Sequence, residues 1–233
     1  MTDLDSAALA DRTARVLADV ADAAAAAGRN AGEVTTIVVT KFHPAELVRA
    51  LAELGQRHLG ESRLQEFAPK AQSLRDLDLD WHFIGQLQSK KAARALEHAG
   101  TIHSLDRRSL LTALAASGRA ADVFIQVNLT DDPARGGVSA ADLPEFAEAV
   151  LAVPALQLRG LMAVAGLGAE PRAEFARVRE LRDRLLTPIA PAATALSMGM
   201  SGDYRDAIAE GATHLRIGTA ITGKRPDPAY ARS

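Results

Sequence analysis

The run Thr36-Ile37-Val38-Val39-Thr40-Lys41 consists of five β-branched residues that end at a lysine. A continuous β-branched run without polar alternation is typical of a strand that is buried on both faces, as in a parallel sheet. A helical pattern follows over residues 44–54. The stretch therefore predicts one βα unit, with Lys41 at the carboxyl end of its strand.

The same unit recurs along the chain. Seven more short apolar runs, each followed by a helical pattern, occupy residues 58–60, 81–85, 101–104, 123–127, 158–164, 195–198 and 214–217. The remaining helices are predicted over residues 63–74, 89–98, 107–116, 139–152, 173–186 and 204–210. Eight βα units predict an α/β fold of the (β/α)₈ TIM-barrel type. An open doubly wound sheet with one or two misassigned strands is the alternative.

The length of 233 residues suits a single barrel of this kind. Good helix formers fill residues 6–27 and stop at Gly28, as at a helix carboxyl terminus, so an additional N-terminal helix precedes the first strand. We expect one domain over residues 1–233, with that helix within about residues 1–30 and the barrel over residues 34–225.

Composition limits the partners and the chemistry. The net charge of -2 gives no basic patch for nucleic acid or an anionic membrane, and the absence of cysteine excludes disulfides and thiolate metal sites. The six histidines lack the paired spacing of metal ligands, so no metal is expected, and His82 and His214 are interpreted as residues that line the barrel. The acidic start and the lack of a long apolar segment predict a cytoplasmic protein without a membrane anchor.

Lys41 is the first candidate for chemistry, because active sites of these barrels lie at the carboxyl ends of the strands. Burial there would lower the pKa of the amine from about 10.4, as a lysine that forms a Schiff base requires. The alternative is a structural lysine paired with Glu61, at the end of the second strand. The sequence leaves both interpretations open.

Two small-residue loops predict a phosphate site. Met198-Gly199-Met200-Ser201-Gly202-Asp203 follows the seventh strand, and Arg216-Ile217-Gly218-Thr219 ends the eighth. Small residues let backbone N–H groups approach an anion, and the loops after strands seven and eight commonly bind phosphate in this fold.

Several ordered motifs together resemble one family, the pyridoxal phosphate homeostasis proteins, also called the YggS or PROSC family. The resemblance extends over about residues 34–225 and rests on Val38-Val39-Thr40-Lys41, Gly60-Glu61-Ser62-Arg63-Leu64-Gln65-Glu66, Trp81-His82-Phe83-Ile84-Gly85, Leu87-Gln88-Ser89, Val127-Asn128, Leu196-Ser197-Met198-Gly199-Met200-Ser201 and Arg216-Ile217-Gly218-Thr219-Ala220-Ile221. It implies a barrel similar to the N-terminal domain of alanine racemase, with pyridoxal 5'-phosphate (PLP) as the cofactor at its mouth.

The resemblance also implies roles for individual residues. Lys41 matches the lysine that forms the internal aldimine, and Ser201, Gly218 and Thr219 match the phosphate-binding positions, with Ser197 beside them. The family has Gly-Glu-Asn where this chain has Gly60-Glu61-Ser62, so Ser62 stands where an asparagine would contact the cofactor.

Arg216 matches the family's arginine that faces the pyridine nitrogen. A guanidinium cannot accept a proton and keeps the ring unprotonated, so a carbanion would be poorly stabilised. Racemases of similar fold take a second proton carrier, a tyrosine, from a further domain, whereas this chain contains only Tyr204 and Tyr230.

The hypothesis that follows is a monomeric PLP carrier that takes part in vitamin B6 homeostasis and has no catalytic residues. Its expected partners are PLP, other B6 vitamers and PLP-dependent apoenzymes. A PLP-dependent racemase of low activity is the alternative, and a barrel enzyme for phosphate metabolites without PLP is a third.

Overall fold

Eight parallel strands close into a barrel in chain order, with β8 paired to β1, so the predicted (β/α)₈ fold is confirmed. The computed structural model describes residues 5–130, 136–166 and 168–224. The strands are β1 Thr35–Val39, β2 His58–Glu61, β3 Asp80–Phe83, β4 Thr101–Leu105, β5 Ala121–Gln126, β6 Leu156–Met162, β7 Ala195–Ser197 and β8 His214–Ile217. The open-sheet alternative is therefore wrong.

The helices alternate with these strands. They are α1 Ser6–Ala26, α2 Ala45–Glu53, α3 Leu64–Ser73, α4 Ala92–Ala95, α5 Arg108–Ala116, α6 Leu143–Leu151, α7 Pro171–Leu181, α8 Tyr204–Ala209 and α9 Thr219–Thr222. No bounds were predicted for the last helix, α9, because it follows the eighth strand after a single glycine and lasts for only one turn.

Two helices that the sequence predicts as continuous are divided. Residues 89–98 form a 3₁₀ turn, Ser89–Lys91, followed by the single turn α4. Residues 173–186 contain α7 and then a π-helical turn, Arg182–Leu186, in which the Thr187 N–H donates to the Arg182 carbonyl at 2.8 Å. The Thr187 hydroxyl also donates to this carbonyl at 3.0 Å and stabilises the wider turn.

The predicted N-terminal helix is present as α1. Asp5 caps it by accepting the Ala8 N–H at 3.0 Å, and its buried face packs on α8 and α9. Arg12 ties it to α9 by donating to the Ile221 carbonyl at 2.8 Å. No helix in the described part of the chain is long and apolar enough to cross a membrane.

Parallel pairing places all the carboxyl ends of the strands at one rim of the barrel, which we call the mouth. Val38 pairs with Leu59 of β2 on one side and with Ile217 of β8 on the other. The carboxyl ends of β7, β8, β1 and β2 are therefore neighbours. Every residue for which the sequence predicts a binding role lies on one of these four strands or in the segment directly after it.

Candidate functional site

Lys41 follows β1 at the mouth, in a strained turn. The next residue, Phe42, has φ of 68°, a left-handed conformation that is rare for a bulky residue. Its N–H donates to Glu66 at 3.2 Å, and the Arg63 guanidinium lies 4.7 Å from its ring centroid. Strain of this kind clusters at functional sites. The Lys41 side chain is exposed, so the desolvation expected from the sequence is not found.

Glu61 pairs with a different lysine from the one considered in the sequence analysis. Lys70 of α3 is buried and donates to Glu61 at 2.5 Å and to the Thr40 carbonyl at 2.9 Å, while the Thr40 hydroxyl donates to the same carboxylate oxygen at 2.9 Å. Burial, opposed by the Lys70 charge, raises the pKa of Glu61. The prediction of a Lys41–Glu61 ion pair is therefore wrong, and the Lys41 amine is not engaged by Glu61.

The loop after β7 is bonded to β8 and to the start of α9. The Arg216 N–H donates to the Gly199 carbonyl at 2.9 Å, and the Ala220 N–H lies 3.5 Å from the Ser201 hydroxyl oxygen. Gly199 has φ of 91°, and a Cβ there would lie 2.6 Å from that of Ala207, so only glycine fits this turn. Ser201 is consequently held beside the first turn of α9.

Gly218 and Thr219 lie where β8 passes into α9. Gly218 is the N-cap of this helix, and a Cβ at Gly218 would lie 3.6 Å from that of Val39, at the end of β1. The predicted phosphate positions are thus assembled next to the strand that carries Lys41. This arrangement gives an amine and a small-residue loop side by side.

Arg216 is buried below this loop, with 4% of its surface exposed. It donates to the Ser197 hydroxyl oxygen and to the Ala163 carbonyl, each at 2.8 Å. Burial lowers the pKa of Arg216 to about 10, so the guanidinium remains charged at neutral pH. Ser197 is fully buried and accepts from the arginine, so it would act on a ligand at the mouth only through Arg216.

Ser62 lies on the other side of β1, at the end of β2. A Cβ at Gly85 would lie 2.4 Å from the Ser62 carbonyl oxygen, so Ser62 packs against the end of β3. It lines a cavity of about 170 Å³ together with Arg63 and Lys91. The structure therefore groups Ser201, Gly218 and Thr219 on one flank of Lys41 and Ser62 on the opposite flank.

Sequence reasoning did not single out two buried polar residues next to the candidate site, Lys70 and His103. Lys70 lies on the apolar stripe that Phe67, Ala71 and Leu74 form on α3, and a lysine on such a stripe signals a buried partner. His103 is completely buried and contacts Ser197 at 2.8 Å. The prediction that His82 and His214 line the barrel is confirmed, since both lie on strands and their ring centroids are 5.1 Å and 6.2 Å from that of the fully buried His103. Burial lowers their pKa values to about 3 and about 4.

Two further observations concern proton carriers and metals. The hydroxyl of Tyr204 donates to Asp19 of α1 at 3.2 Å, and Tyr230 lies outside the described residues. In the described ranges, no group of three or more acidic or histidine side chains is arranged to hold a metal ion.

Fold and site define the class of barrels built like the N-terminal domain of alanine racemase, and the model of that domain family matches residues 16–226. A pyridoxal phosphate homeostasis protein of Pseudomonas aeruginosa is 42% identical over 221 residues, covering 93% of this chain and 96% of the relative. The one from Escherichia coli K12 is 37% identical over 230 residues, covering 93% and 97%. The chain belongs to the family of pyridoxal phosphate homeostasis proteins.

Solved structures agree with this assignment. PipY of Synechococcus elongatus, solved with PLP bound, is 38% identical and superposes with a TM-score of 0.81, covering 92% of this chain and all of PipY. Alanine racemase of Corynebacterium glutamicum is 18% identical, with a TM-score of 0.70 and coverage of 93% and 60%, and this likeness concerns the fold alone.

Proposed function

We propose that this chain binds PLP at the mouth of the barrel, holds it covalently as a Schiff base on Lys41, and takes part in PLP homeostasis without robust catalysis. The observation that carries the proposal is the convergence of an exposed amine, a small-residue loop and a buried guanidinium at the adjacent ends of β1, β7 and β8. The names of the relatives and the PLP-bound PipY structure support it.

The residues fit the chemical groups of this cofactor. When bound, PLP supplies an electrophilic aldehyde and a ring that can withdraw electrons. The Lys41 amine would take the aldehyde, while Ser201, Gly218 and Thr219 would donate to the phosphate. Arg216 would donate to the pyridine nitrogen, with Ser197 holding it in place, and Ser62 would contact the opposite flank of the cofactor.

The same residues favour storage over turnover. Arg216 can only donate a hydrogen bond, so it favours an unprotonated pyridine nitrogen and a weak electron sink. The hydroxyl of Tyr204 is bonded to Asp19 on α1 and is not free to move a proton at the mouth. We therefore assign no catalytic residue.

The decisive experiment is borohydride reduction of the protein with added PLP, followed by peptide mass spectrometry. We expect a visible absorption band that reduction converts to a stable adduct on Lys41. Lys41→Ala should lose both the band and the adduct, whereas Lys90→Ala, which removes an exposed lysine on the Ser89–Lys91 turn, should keep them. Adducts spread evenly over lysines in both variants, or no band at all, would contradict the proposal and leave a phosphate-metabolite barrel.

Catalysis needs a separate measurement. Incubation with L-alanine should show no steady formation of D-alanine by the PLP-loaded protein, while steady formation that Lys41→Ala abolishes would establish the racemase alternative. We also propose that the protein is a monomer, that it binds other B6 vitamers and that it transfers PLP to PLP-dependent apoenzymes. Reactivation of a PLP-dependent apoenzyme by the loaded protein tests this transfer, and no reactivation beyond that given by free PLP at equal concentration would contradict it.

A further inference from the structure

The interior of the barrel contains an uninterrupted chain of polar side chains. TIM-barrel interiors are usually filled by layers of bulky branched residues. Here four of the six histidines lie on strands, at the first residue of β2, in the middle of β3 and β4 and at the first residue of β8, namely His58, His82, His103 and His214. Three of them, His58, His82 and His103, form a series of hydrogen-bonding contacts that continues through Ser197 to Arg216.

The distances along this chain are all within hydrogen-bonding range. His58 Nδ1 is 3.2 Å from His82 Nε2, and His82 Nδ1 is 2.9 Å from His103 Nε2. His103 Nδ1 is 2.8 Å from the Ser197 Oγ, which accepts from Arg216 Nη1 at 2.8 Å. The chain thus runs from the amino end of β2, where His58 is partly exposed beside Asp80, to the guanidinium below the mouth.

The arginine favours one direction for these hydrogen bonds, because the Ser197 hydroxyl accepts from Arg216 and still has its own proton to donate to His103 Nδ1. A guanidinium only donates, and a neutral imidazole has one donor and one acceptor. Burial lowers the pKa of His82 to about 3 and that of His103 well below its ordinary value, so both rings are neutral at neutral pH. If the Ser197 hydroxyl donates to His103 Nδ1, the Nε2–H of His103 donates to His82 Nδ1, and every polar atom of these two rings is satisfied.

This direction also stabilises the buried charge. Among the described residues, no carboxylate lies within ion-pair distance of the Arg216 guanidinium, which also donates to the Ala163 carbonyl. In the proposed direction each hydroxyl or imidazole points its negative end towards the guanidinium, which lowers the free energy of the buried cation. Neutral dipoles stabilise the cation without cancelling its charge, as a carboxylate would.

We propose that His103 and His82 are positioning residues that act through Ser197 to orient a fully charged Arg216 below the mouth of the barrel. The consequence for PLP rests on the proposed function: the chain fixes the donor that would face the pyridine nitrogen. Stacking supports the geometry, since the His103 ring lies parallel to that of Phe124, with centroids 4.5 Å apart and an interplanar angle of 12°.

The first test uses the wild-type protein without PLP, so it does not depend on the proposed function. NMR of protein labelled with ¹⁵N-histidine should show His103 and His82 as neutral rings, both protonated at Nε2, with a coupling across the hydrogen bond from His103 Nε2 to His82 Nδ1. An Nδ1-protonated His103 would overturn the direction from Arg216, and a charged His82 or His103 would overturn the proposal as well.

The second test compares three variants. His103→Phe keeps an aromatic ring against Phe124 but removes both nitrogens, and His103→Gln retains a donor and an acceptor. Phe175→Leu, on α7, alters a fully buried core residue away from the chain and is the control. We expect His103→Phe to shift the Arg216 guanidinium signals and to weaken PLP binding about tenfold, with a changed cofactor absorption band. His103→Gln should retain most of the affinity, and Phe175→Leu should leave the guanidinium signals unchanged.

The outcomes separate the two proposals. Unchanged Arg216 signals in folded His103→Phe would overturn the positioning role, whatever the protein binds. Shifted Arg216 signals in a protein that shows no PLP band even as wild type would support the positioning role and contradict the proposed function. If His103→Phe does not fold, His82→Gln and His82→Phe provide the same comparison one link further from the arginine, and equal Arg216 signals in both would contradict the proposal.

Discussion

Glu61 is the residue whose hydrogen bonds most restrict the geometry beside Lys41. It is fully buried, its Oε1 is bonded to Lys70 and Thr40, and its Oε2 has no hydrogen-bond partner in the described part of the chain. A buried charge of this kind is tolerated only with its counter-charge. The Lys70 charge therefore opposes the rise that burial causes in the pKa of Glu61, and Lys70 also fixes the Thr40 carbonyl next to Lys41.

Removal of Lys70 should be costly for stability. Lys70→Met is expected to lower the free energy of unfolding by about 3–5 kcal/mol, because Glu61 is left buried without its cation. Adding Glu61→Gln should recover at least half of this loss, since the amide oxygen can still accept from Thr40. Urea unfolding followed by the fluorescence of Trp81, the only tryptophan, measures both variants.

An exposed ion pair serves as the control for this comparison. Arg49 and Asp76 are bonded at 2.8 Å with side chains 43% and 56% exposed, so Arg49→Met should lower the free energy of unfolding far less than Lys70→Met does. Equal losses in Lys70→Met and Arg49→Met, or no recovery in the double variant, would contradict the account of the buried pair.

At the scale of elements, β6 approaches β7 closely at one glycine. Gly160 pairs with Ala195, and a Cβ at Gly160 would lie only 1.8 Å from the Ala195 carbonyl oxygen. Gly160→Ala must therefore separate the two strands, and we expect a loss of about 3 kcal/mol or more. Gly100→Ala, where a Cβ meets no atom within 4 Å, should change stability by less than about 1 kcal/mol. Similar urea midpoints for the two variants would disprove the close approach.

The elements were largely predictable because their signals are local. β8 has the predicted bounds and β1 is displaced by one residue, since short apolar runs identify strands directly. The pairing of Glu61 with Lys70 was not predictable, because it depends on how α3 is rotated over β1 and β2. The chain from His58 to Arg216 was not predictable either, since five strands must bring their side chains to one line inside the barrel.

At the scale of the whole molecule, the polar interior makes folding sensitive to acid. Burial lowers the pKa values of His82 to about 3 and of His214 to about 4, and it lowers that of His103 well below its ordinary value. In the unfolded chain each ring would titrate near 6.5. Between about pH 6.5 and pH 4 the unfolded state therefore binds more protons than the folded state, and stability falls as the pH falls.

The size of this effect follows from linkage. Each buried ring that stays neutral contributes a slope of up to about 1.4 kcal/mol per pH unit below its unfolded pKa, so three rings should cost on the order of 5 kcal/mol between pH 7 and pH 5. Urea unfolding at half-unit intervals over this range measures the slope, and His82→Gln should reduce it by about one proton. A free energy of unfolding that changes by less than about 1 kcal/mol would mean that the buried imidazoles take up protons in the folded barrel, which would also break the neutral chain that leads to Arg216.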